Sequence, residues 1–426
     1  MVDVAKVKLF GMDMGTFRWD ESYNVARFEY DKNFADKGIE PSPIMMPVQQ
    51  GRIYSFGNLN RDTFNGLPGM LADSLPDTYG RALFDRWLTL TGRTSGNPVE
   101  MLCFLGQRCM GALEYEPATG PASDENMKFE IDYLVGVARD ALSKKEEFGV
   151  NLDTDRKAAI AEILRLGTSA GGQRAKAIIA YNKDTGEVRS GQITAPEGFD
   201  YYIIKLDGVS AEAGFKETEN YGRLEYSFSE LVKRCGIDMT DCSLIEENGR
   251  AHFLTKRFDR ENGKKIHMQT LCGIAHYDFR LLRGYSYEQA FNVMRALHLP
   301  YSQAQEMFRR MVFNTVLRNQ DDHTKNISFL MGTDGRWRLS PAYDMGFAYN
   351  PSGSWTRTHQ MSINGKYDDL TRKDLLACAA ANNIKNASEI IDQVCDEAAK
   401  WPSSAKECGV PQSMINAIVP HLLLTL

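Results

Sequence analysis

The sequence lacks the cysteine spacings that define two common kinds of site. Its eight cysteines form no CxxC pair, which argues against a zinc ribbon and against a thioredoxin-like redox centre. It also lacks low-complexity tracts and long runs of one charge, so large disordered regions are not expected. The chain has 426 residues, of which 43% are hydrophobic and 25% charged, and is expected to fold into roughly two or three globular domains or lobes.

An excess of positive charge is also missing. Lys and Arg number 50 against 56 Asp and Glu, which gives a net charge of -6 at pH 7. Strong binding to nucleic acid by bulk electrostatics is therefore not expected, because phosphate contacts need clustered positive charge. A local basic patch could still contact nucleic acid.

No hydrophobic run is long enough for a membrane span. The stretch "AIVPHLLLTL" is the most apolar tail, and it is far shorter than the roughly 20 residues that cross a bilayer. The first residues, "MVDVAKVKLFGMDMG", carry charges where a signal peptide needs an apolar core. We therefore expect a cytoplasmic protein with no membrane partner, in which the cysteines stay reduced.

Breaks in composition divide the chain into three predicted units. The segment Glu116–Asn126, "EPATGPASDEN", holds two prolines and several small polar residues, which is typical of a linker or a domain boundary. Residues 1–120 are predicted to form an N-terminal unit, 121–265 a strand-rich unit, and 266–426 a helix-rich unit.

Periodic apolar residues predict the elements of the outer two units. In the first, "VKLFGMDMG" and "NVARFEY" predict strands, and the run between Pro76 and Gly92 predicts a helix. In the last, "SYEQAFNVMRAL" and "SQAQEMFRRMVFNTVL" are the clearest helices.

The middle unit combines predicted hairpins with helices. The helix "KAAIAEILRL" comes first, and hairpins are predicted at the turns 184–186 and 248–249. Residues 201–206, "YYIIKL", predict a buried strand. A helix with apolar residues on one face should run from about Tyr221 and end near Gly236.

A short loop in the helix-rich unit concentrates ionisable and chelating side chains. In "LRNQDDHTKN", Asp321 and Asn326 have the spacing D-x-x-x-x-N that protein kinases use in their catalytic loop. There the aspartate accepts the proton of the substrate hydroxyl, and the asparagine holds a magnesium ion. On these ten residues alone, a solvated helix end or a turn would explain the pattern equally well.

The residues after this loop follow the kinase order. "ISFLM", a turn and "RWRLS" predict a short hairpin, and "PAYDMG" places Asp344-Met345-Gly346 where kinases have D-F-G. Loop, hairpin and D-x-G in this order are more specific than either motif alone. One departure from the kinase pattern is that Gln320, rather than arginine, precedes Asp321.

Features upstream complete a candidate nucleotide site. Lys205 ends the strand "YIIKL" and suits the kinase lysine that contacts the α- and β-phosphates, and Glu225 on the next helix could pair with it. "GTSAGG" (residues 167–172) is a Gly-rich turn, although Gln173–Arg174 stands where a Walker A loop needs Lys-Ser/Thr. Taken singly, these are a solvated lysine, a surface glutamate and a flexible turn. Their order along the chain favours a phosphotransfer site.

The same residues resemble the motifs of a known family. "GTSAGGQRAKAIIA", "YIIKLDG", "LEYSFSEL", "HFLTKRFDR", "RNQDDHTKNISFL" and "LSPAYDMG" look like successive motifs of the HipA family of bacterial serine/threonine kinase toxins. "LADSLPDTYGRALFDRW" and "MGALEY" resemble the N-terminal module of that family. The resemblance covers nearly the whole chain. It implies an α+β, two-lobed protein-kinase-like fold with a mixed α/β N-lobe, an all-α C-lobe and an additional N-terminal α/β subdomain.

The resemblance also implies cofactors and residue roles. ATP and Mg²⁺ would be bound, with Asp321 as the catalytic base and Asn326 and Asp344 as metal ligands. His323 and Lys325 would line the catalytic loop, with Lys325 a partner for the γ-phosphate. The residues implied in nucleotide binding are Gly167, Thr168, Ser169, Ala170, Gly171, Gly172, Lys176, Lys205 and Glu225.

A regulatory phosphoserine is a further implication of the resemblance. The family carries it in the Gly-rich loop, where Ser169 is the matching position and Thr168 the adjacent alternative. A phosphate there adds about -1.5 to -2 charge and would compete with the triphosphate of ATP. We therefore expect self-phosphorylation at Ser169 to switch the kinase off.

The implied partners are a small helix-turn-helix antitoxin dimer, operator DNA contacted mainly through that antitoxin, and a protein substrate. In the best-known members the substrate is a tRNA-charging enzyme. Two alternatives stay open. One is a small-molecule kinase of the aminoglycoside phosphotransferase type, against which the N-terminal module and Ser169 argue. The other is a nucleotide-sensing corepressor, against which the complete Lys/Asp/Asn/Asp set argues.

Overall fold

The structure is a computed structural model, and it describes residues 2–76, 78–90, 92–120, 130–142, 175–191, 194–209 and 219–426. The predicted helix "KAAIAEILRL" lies outside the described residues, as does part of the predicted linker. The Gly-rich turn 167–172, which includes Thr168 and Ser169, lies outside them as well.

The N-terminal unit is built around a five-stranded sheet. Its strands are β1 (Val4–Leu9), β2 (Met12–Asp20), β3 (Val25–Tyr30), β4 (Ile53–Tyr54) and β5 (Leu113–Glu116), in the order β4-β3-β2-β1-β5. The prediction of a single strand over "VKLFGMDMG" is wrong, because this run forms the hairpin β1–β2. Phe10 and Gly11 have positive φ angles of 53° and 77°, which two-residue hairpin turns require.

Short helices connect these strands. They are α1 (Lys32–Ala35), α2 (Arg61–Phe64), α3 (Gly69–Ala72), α4 (Thr78–Leu90) and α5 (Pro98–Leu105). The helix predicted between Pro76 and Gly92 is confirmed by α4. Two sequence features fix the start of α5. The Asn97 side chain caps the helix by accepting a hydrogen bond from the Glu100 N–H at 2.8 Å, and Pro98 occupies the first turn, where proline is favoured.

A second five-stranded sheet lies in the middle of the chain. Its strands are β6 (Lys176–Tyr181), β7 (Val188–Ser190), β8 (Asp200–Lys205), β9 (Cys242–Glu247) and β10 (Arg250–Lys256), in the order β7-β6-β8-β10-β9. Two helices accompany it, α6 (Ile131–Leu142) and α7 (Tyr221–Arg234). Both predicted hairpins are confirmed, and the predicted strand β8 is the central one. Lys205 therefore ends a strand that is hydrogen-bonded on both sides.

The rest of the chain is mostly helical. Its helices are α8 (Leu271–Ala275), α9 (Tyr287–Ala296), α10 (Tyr301–Val316), α11 (Arg372–Ala381), α12 (Ala387–Glu407) and α13 (Gln412–Ile418), with 3₁₀ turns at Thr324–Asn326 and Val419–His421. The pair β11 (Arg260–Glu261) and β12 (Lys264–Lys265) comes before these helices. The remaining short strands are β13 (His267–Thr270), β14 (Tyr285–Ser286), β15 (Ser328–Met331), β16 (Trp337–Leu339) and β17 (Met361–Ser362).

The expectation of an all-helical C-terminal part needs correction. The hairpin β15–β16 was predicted after the candidate loop, but β15 also pairs with β13 to make a three-stranded sheet. β14 and β17 form a second small sheet. β13 lies at the start of the predicted helix-rich unit, and its strand partner β15 is about 60 residues further along the chain. The local periodicity of the sequence could not show this pairing.

Two hydrophobic cores hold these elements. One is shared by the N-terminal sheet and the second sheet, and includes Phe17, Phe104 and Ile204. The other is formed mainly by the C-terminal helices, but α7 contributes Phe228 and Leu231 to it. The architecture is therefore mixed α and β, and α7 links the second sheet to the helical part. None of the described helices has both the length and the apolar composition needed to cross a membrane.

Candidate active site

Lys205 lies between two carboxylates that are distant from it in sequence. Its Nζ is 2.5 Å from Asp344 Oδ1 and 3.1 Å from Glu225 Oε2. The Lys205 side chain is 18% exposed, so these ion pairs are partly shielded from water. Three residues that the sequence predicts for one site are thus brought into contact by the fold.

Glu225 is presented by a helix that is firmly packed. α7 buries Phe228 against Trp401 of α12, with the two rings stacked at a centroid distance of 4.8 Å. The Trp401 indole N–H also donates to Ser227 Oγ at 3.2 Å. Because both contacts lie within one turn of Glu225, the packing fixes the face of α7 that meets Lys205.

Asp344 occupies an uncommon backbone conformation that the loop Asn319–Asn326 supports. Its φ angle is 50°, in the left-handed region, and its carbonyl accepts from Asn319 Nδ2 at 3.3 Å. The preceding Tyr343 hydroxyl donates to the Lys325 carbonyl at 2.6 Å. The D-x-G segment and the candidate catalytic loop are therefore braced against each other.

Two lysines influence the Asp344 carboxylate. In the sheet, Lys176 of β6 stands directly opposite Lys205 of β8. Burial raises the pKa of Asp344, but the charge and hydrogen bond of Lys205, together with the charge of Lys176, hold that pKa below its ordinary value. Two lysines beside one carboxylate make this part of the site suited to a polyanion.

Asp321 lies in the loop that follows α10. Its side chain is 43% exposed, and its Oδ1 accepts a 2.5 Å hydrogen bond from the indole Nε1 of Trp355. Burial raises the pKa of Asp321; His323 and the Trp355 N–H oppose this, and the charge of Asp344 adds to it.

Asn326 is oriented so that its amide oxygen is left as an acceptor. Its Nδ2 donates to the Asp321 carbonyl at 2.8 Å. An amide oxygen together with the Asp344 carboxylate fits a hard cation such as Mg²⁺, which takes oxygen ligands and completes its shell with phosphate oxygens and water. Among the described residues, no group of three or more His, Cys, Asp or Glu side chains is arranged to hold a metal ion.

His323 and Lys325 both contact Phe279. The His323 ring lies 5.3 Å from the Phe279 ring, and its Nε2 is 3.8 Å from Asp321 Oδ1. Burial lowers the pKa of His323, against the charge of Asp321. Lys325 Nζ lies 4.8 Å from the Phe279 ring centre. The structure thus places both side chains along the loop, while their catalytic roles stay predictions.

The N-terminal unit contacts the start of α8 through Asp73. The two Asp73 carboxylate oxygens accept from Thr270 N and Thr270 Oγ1, each at 2.7 Å, at the start of α8. Burial raises the pKa of Asp73 to about 6, opposed by the charge of Lys325. Sequence analysis missed this contact, because nothing near Asp73 in the chain points to Thr270.

Asp322 is the second residue that sequence analysis missed. Its side chain is 1% exposed, and its oxygens accept from the Tyr287 hydroxyl at 2.9 Å, from His359 Nδ1 at 2.8 Å and from the Gln360 N–H at 2.8 Å. The two adjacent aspartates therefore differ: Asp321 faces the site, and Asp322 anchors the loop from behind.

We expect Asp322→Ala to destabilise the chain. Removing the carboxylate leaves the buried donors of Tyr287, His359 and Gln360 without an acceptor, which should cost about 2 kcal/mol or more. That loss corresponds to a fall in Tm of roughly 4–8 °C for domains of this size. Thermal unfolding measured by circular dichroism tests it. The control is Asp334→Ala, at a turn where the side chain is 62% exposed, and equal Tm values for the two variants would contradict the anchoring role.

Comparison with known families gives two matches along the chain. The model described as the HipA N-terminal domain matches residues 5–116. The model described as the HipA-like C-terminal domain matches residues 168–401, which is more than half of the chain. The second match contains all the candidate site residues described above except Asp73 and Gly167.

Curated relatives match parts of the chain. The protein named "Putative kinase Y4dM" of Sinorhizobium fredii is 27% identical over 219 residues, which is 46% of this chain and 52% of that protein. The protein named "Putative kinase" of Haemophilus influenzae is 27% identical over 134 residues, which is 28% of this chain and 39% of that protein. The matched regions therefore span about half or less of the length of these relatives.

A solved structure matches nearly the whole fold. It comes from the complex of HipA, HipB and operator DNA of the toxin–antitoxin system of Shewanella oneidensis MR-1. The TM-score is 0.68 at 18% sequence identity, and the match covers 97% of this chain and 94% of that chain. At this identity the similarity establishes the fold.

Proposed function

The chain belongs to the HipA family, and on that premise we propose that it is an ATP-dependent serine/threonine-protein kinase that acts as the toxin of a type II toxin–antitoxin module. The observation that carries the kinase proposal is the position of Lys205. One lysine at the end of a central strand contacts both a helix glutamate and the D-x-G aspartate. In protein kinases the strand lysine pairs with the helix glutamate beside the nucleotide phosphates, and the D-F-G aspartate holds Mg²⁺ there.

Lys205 would bind the phosphates of ATP. Glu225 holds its ammonium group in place, and Lys176 adds positive charge on the neighbouring strand. Asn326 and Asp344 would hold Mg²⁺, since the Asn326 amide nitrogen is used as a donor, which leaves its oxygen as an acceptor, and the Asp344 carboxylate lies beside Lys205. Bound Mg²⁺ supplies neutralisation of the phosphate charge.

Asp321 would act on the acceptor hydroxyl. Its exposed carboxylate can accept the hydrogen bond of a serine or threonine hydroxyl that enters from solvent. The hydroxyl oxygen then forms the new bond to phosphorus, the proton passes to Asp321, and the bond between the γ-phosphoryl group and ADP breaks. Lys205 would bind the nucleotide, Asn326 and Asp344 would hold the cation, and Asp321 would accept the proton. This division of roles is expected of an enzyme that catalyses phosphotransfer by positioning its reactants.

The fold fits a two-lobed kinase arrangement, which we include in the proposal. The second sheet supplies Lys205, and the mostly helical part supplies Asp321, Asn326 and Asp344. α7, which carries Glu225, packs into the helical core. The Lys205–Glu225 ion pair would therefore depend on how the second sheet and the helical part are positioned relative to each other. The N-terminal sheet would be the additional subdomain.

Labelled ATP tests the kinase proposal against its rivals. The chain is incubated with Mg²⁺ and ATP labelled on the γ-phosphate, either with a protein extract or with aminoglycosides. We expect label on serine or threonine of proteins, and self-phosphorylation at Ser169, or at Thr168 beside it, read by mass spectrometry. Label on aminoglycosides alone would favour the small-molecule kinase. Nucleotide binding without any transfer would favour the corepressor.

The partners of the module belong to the same proposal. The matched Shewanella structure is a complex of HipA with HipB and operator DNA, and a small DNA-binding antitoxin dimer is the equivalent partner proposed here. The phosphorylated protein is proposed to be a tRNA-charging enzyme, which rests on the family alone.

We expect the isolated chain to bind operator DNA weakly. Its net charge of -6 gives little attraction to phosphates, so the antitoxin should provide most of the contact. Gel-shift titrations at physiological salt, with the antitoxin present or absent, measure this. Tight, sequence-specific shifts by the isolated chain would contradict the expectation.

A further inference from the structure

A tryptophan that no part of the proposed function uses lies directly on the candidate base. The Trp355 indole Nε1 donates to Asp321 Oδ1 at 2.5 Å. Its ring also meets two aromatic neighbours edge-on, His323 at a centroid distance of 6.1 Å and Phe279 at 6.5 Å. Trp355 follows the D-x-G segment, in a stretch without helix or strand.

The backbone of Trp355 is fixed by the same anchor that holds the loop. Gln360 Nε2 donates to the Trp355 carbonyl and, at 3.3 Å, to the Gln320 carbonyl. The Gln360 N–H donates to Asp322 Oδ1 at 2.8 Å. The candidate base and the tryptophan are therefore both linked to the buried Asp322 carboxylate, Asp321 as its neighbour in the chain and Trp355 through Gln360.

Packing alone does not account for this position. Trp355 is partly exposed, and the two hydrophobic cores described above do not include it. By contrast, Trp401 is fully buried in the helical core. A tryptophan outside the cores, with its one polar atom on an aspartate of the candidate site, is better explained by that contact than by burial of its ring.

The two oxygens of Asp321 have different surroundings. Oδ1 accepts from Trp355 and lies 3.8 Å from His323 Nε2. In the part of the chain that the structure describes, no hydrogen bond to Oδ2 is found. Fixing one oxygen of a carboxylate sets the direction of the other, so the contact leaves Oδ2 oriented for an incoming hydroxyl.

We propose that Trp355 is a positioning residue for phosphotransfer: its indole N–H holds Oδ1 of Asp321, so that Oδ2 is directed at the acceptor hydroxyl. The proposal rests on the proposed kinase function. The segment after the D-x-G motif, which contains Trp355, would then orient Asp321 from the side where the acceptor hydroxyl enters.

Trp355→Phe is the first test, because it keeps an aromatic ring and removes the N–H. We expect kcat to fall roughly 10- to 100-fold, as a misdirected catalytic group typically does, while KM for ATP stays near that of the wild type. The matched control is Trp337→Phe, which removes an indole donor to the Glu40 carbonyl outside the site. Equal kcat values for the two variants would overturn the proposal. A rise in kcat/KM for the acceptor would also overturn it, since Trp355 would then be a lid that competes with the acceptor.

A spectroscopic test does not depend on kinase activity. The chain has five tryptophans, so labelling them with ¹⁵N should give five indole N–H signals in the NMR spectrum. The variant Trp355→Phe identifies the relevant signal. We expect Asp321→Asn to shift that signal and to leave the Trp401 signal in place, because only the Trp355 acceptor loses its charge. An unchanged Trp355 signal would overturn the contact. A shifted signal, together with a wild-type chain that transfers no phosphate, would support the contact while contradicting the proposed function.

Discussion

Asp321→Asn is expected to remove nearly all phosphotransfer and to leave nucleotide binding close to that of the wild-type chain. The substitution keeps the shape of the side chain, and the amide oxygen can still accept from Trp355, so the loop should keep its conformation. It removes the group that takes the proton. The nucleotide would be held by other residues, including Lys205 and Asp344, which the substitution does not touch.

The expected loss is large because proton transfer by a positioned group contributes roughly 10²- to 10⁴-fold to rate. Initial rates with γ-labelled ATP measure the transfer, and calorimetric titration with ATP and Mg²⁺ measures binding. Asp334→Asn, on the exposed turn of the β15–β16 hairpin, is the control for a change of charge alone. Transfer at near wild-type rate by Asp321→Asn would show that Asp321 is not the base.

Asp344→Ala is expected to reduce the rate more than Asn326→Ala does. Both substitutions remove an oxygen ligand, but only the first removes a negative charge from beside the cation. It also takes away the Lys205 partner at 2.5 Å, so the lysine would be left with Glu225 as its remaining described acid. Losing a preorganised electrostatic partner typically costs roughly a hundredfold or more in rate.

Magnesium titrations separate this effect from a general loss of structure. We expect Asn326→Ala to need a higher Mg²⁺ concentration and to recover part of its activity at saturation. Asp344→Ala should remain weak at every concentration. Asp344→Asn, which keeps the size of the side chain, should resemble Asp344→Ala if charge decides the result. Near wild-type activity of both alanine variants at limiting Mg²⁺ would contradict the assignment of both ligands.

The order of motifs predicted one site for Lys205, Glu225 and Asp344, and the structure brings these three side chains together. The three residues are widely separated in the sequence, yet the kinase-like order of strand, helix, loop and hairpin predicts that they lie close together. In the structure a carboxylate oxygen of Glu225 and one of Asp344 both lie within 3.1 Å of Lys205 Nζ. Strong local signals also predicted the hairpins that precede and follow Lys205 correctly.

The residues that support the site could not be predicted. Asp322 and Asp321 look alike in the sequence, and only the buried partners of Asp322, 35 to 38 residues away, distinguish the anchor from the candidate base. Trp355 likewise reaches Asp321 across 34 residues. Such contacts depend on how a segment returns through space, which neither periodicity nor motif spacing encodes. The Phe10–Gly11 turn is different: its glycine was a usable signal for a hairpin.

The most direct test of the proposed phosphotransfer site is a crystal structure of the chain with Mg²⁺ and a non-hydrolysable analogue of ATP. We expect phosphate density within hydrogen-bond distance of Lys205 Nζ, and a cation bound by Asp344 and the Asn326 amide oxygen. Asp321 should stand on the acceptor side of the terminal phosphate. A nucleotide bound away from Lys205 would contradict the proposal that these residues form a phosphotransfer site. A cation that contacts neither Asn326 nor Asp344 would contradict it as well.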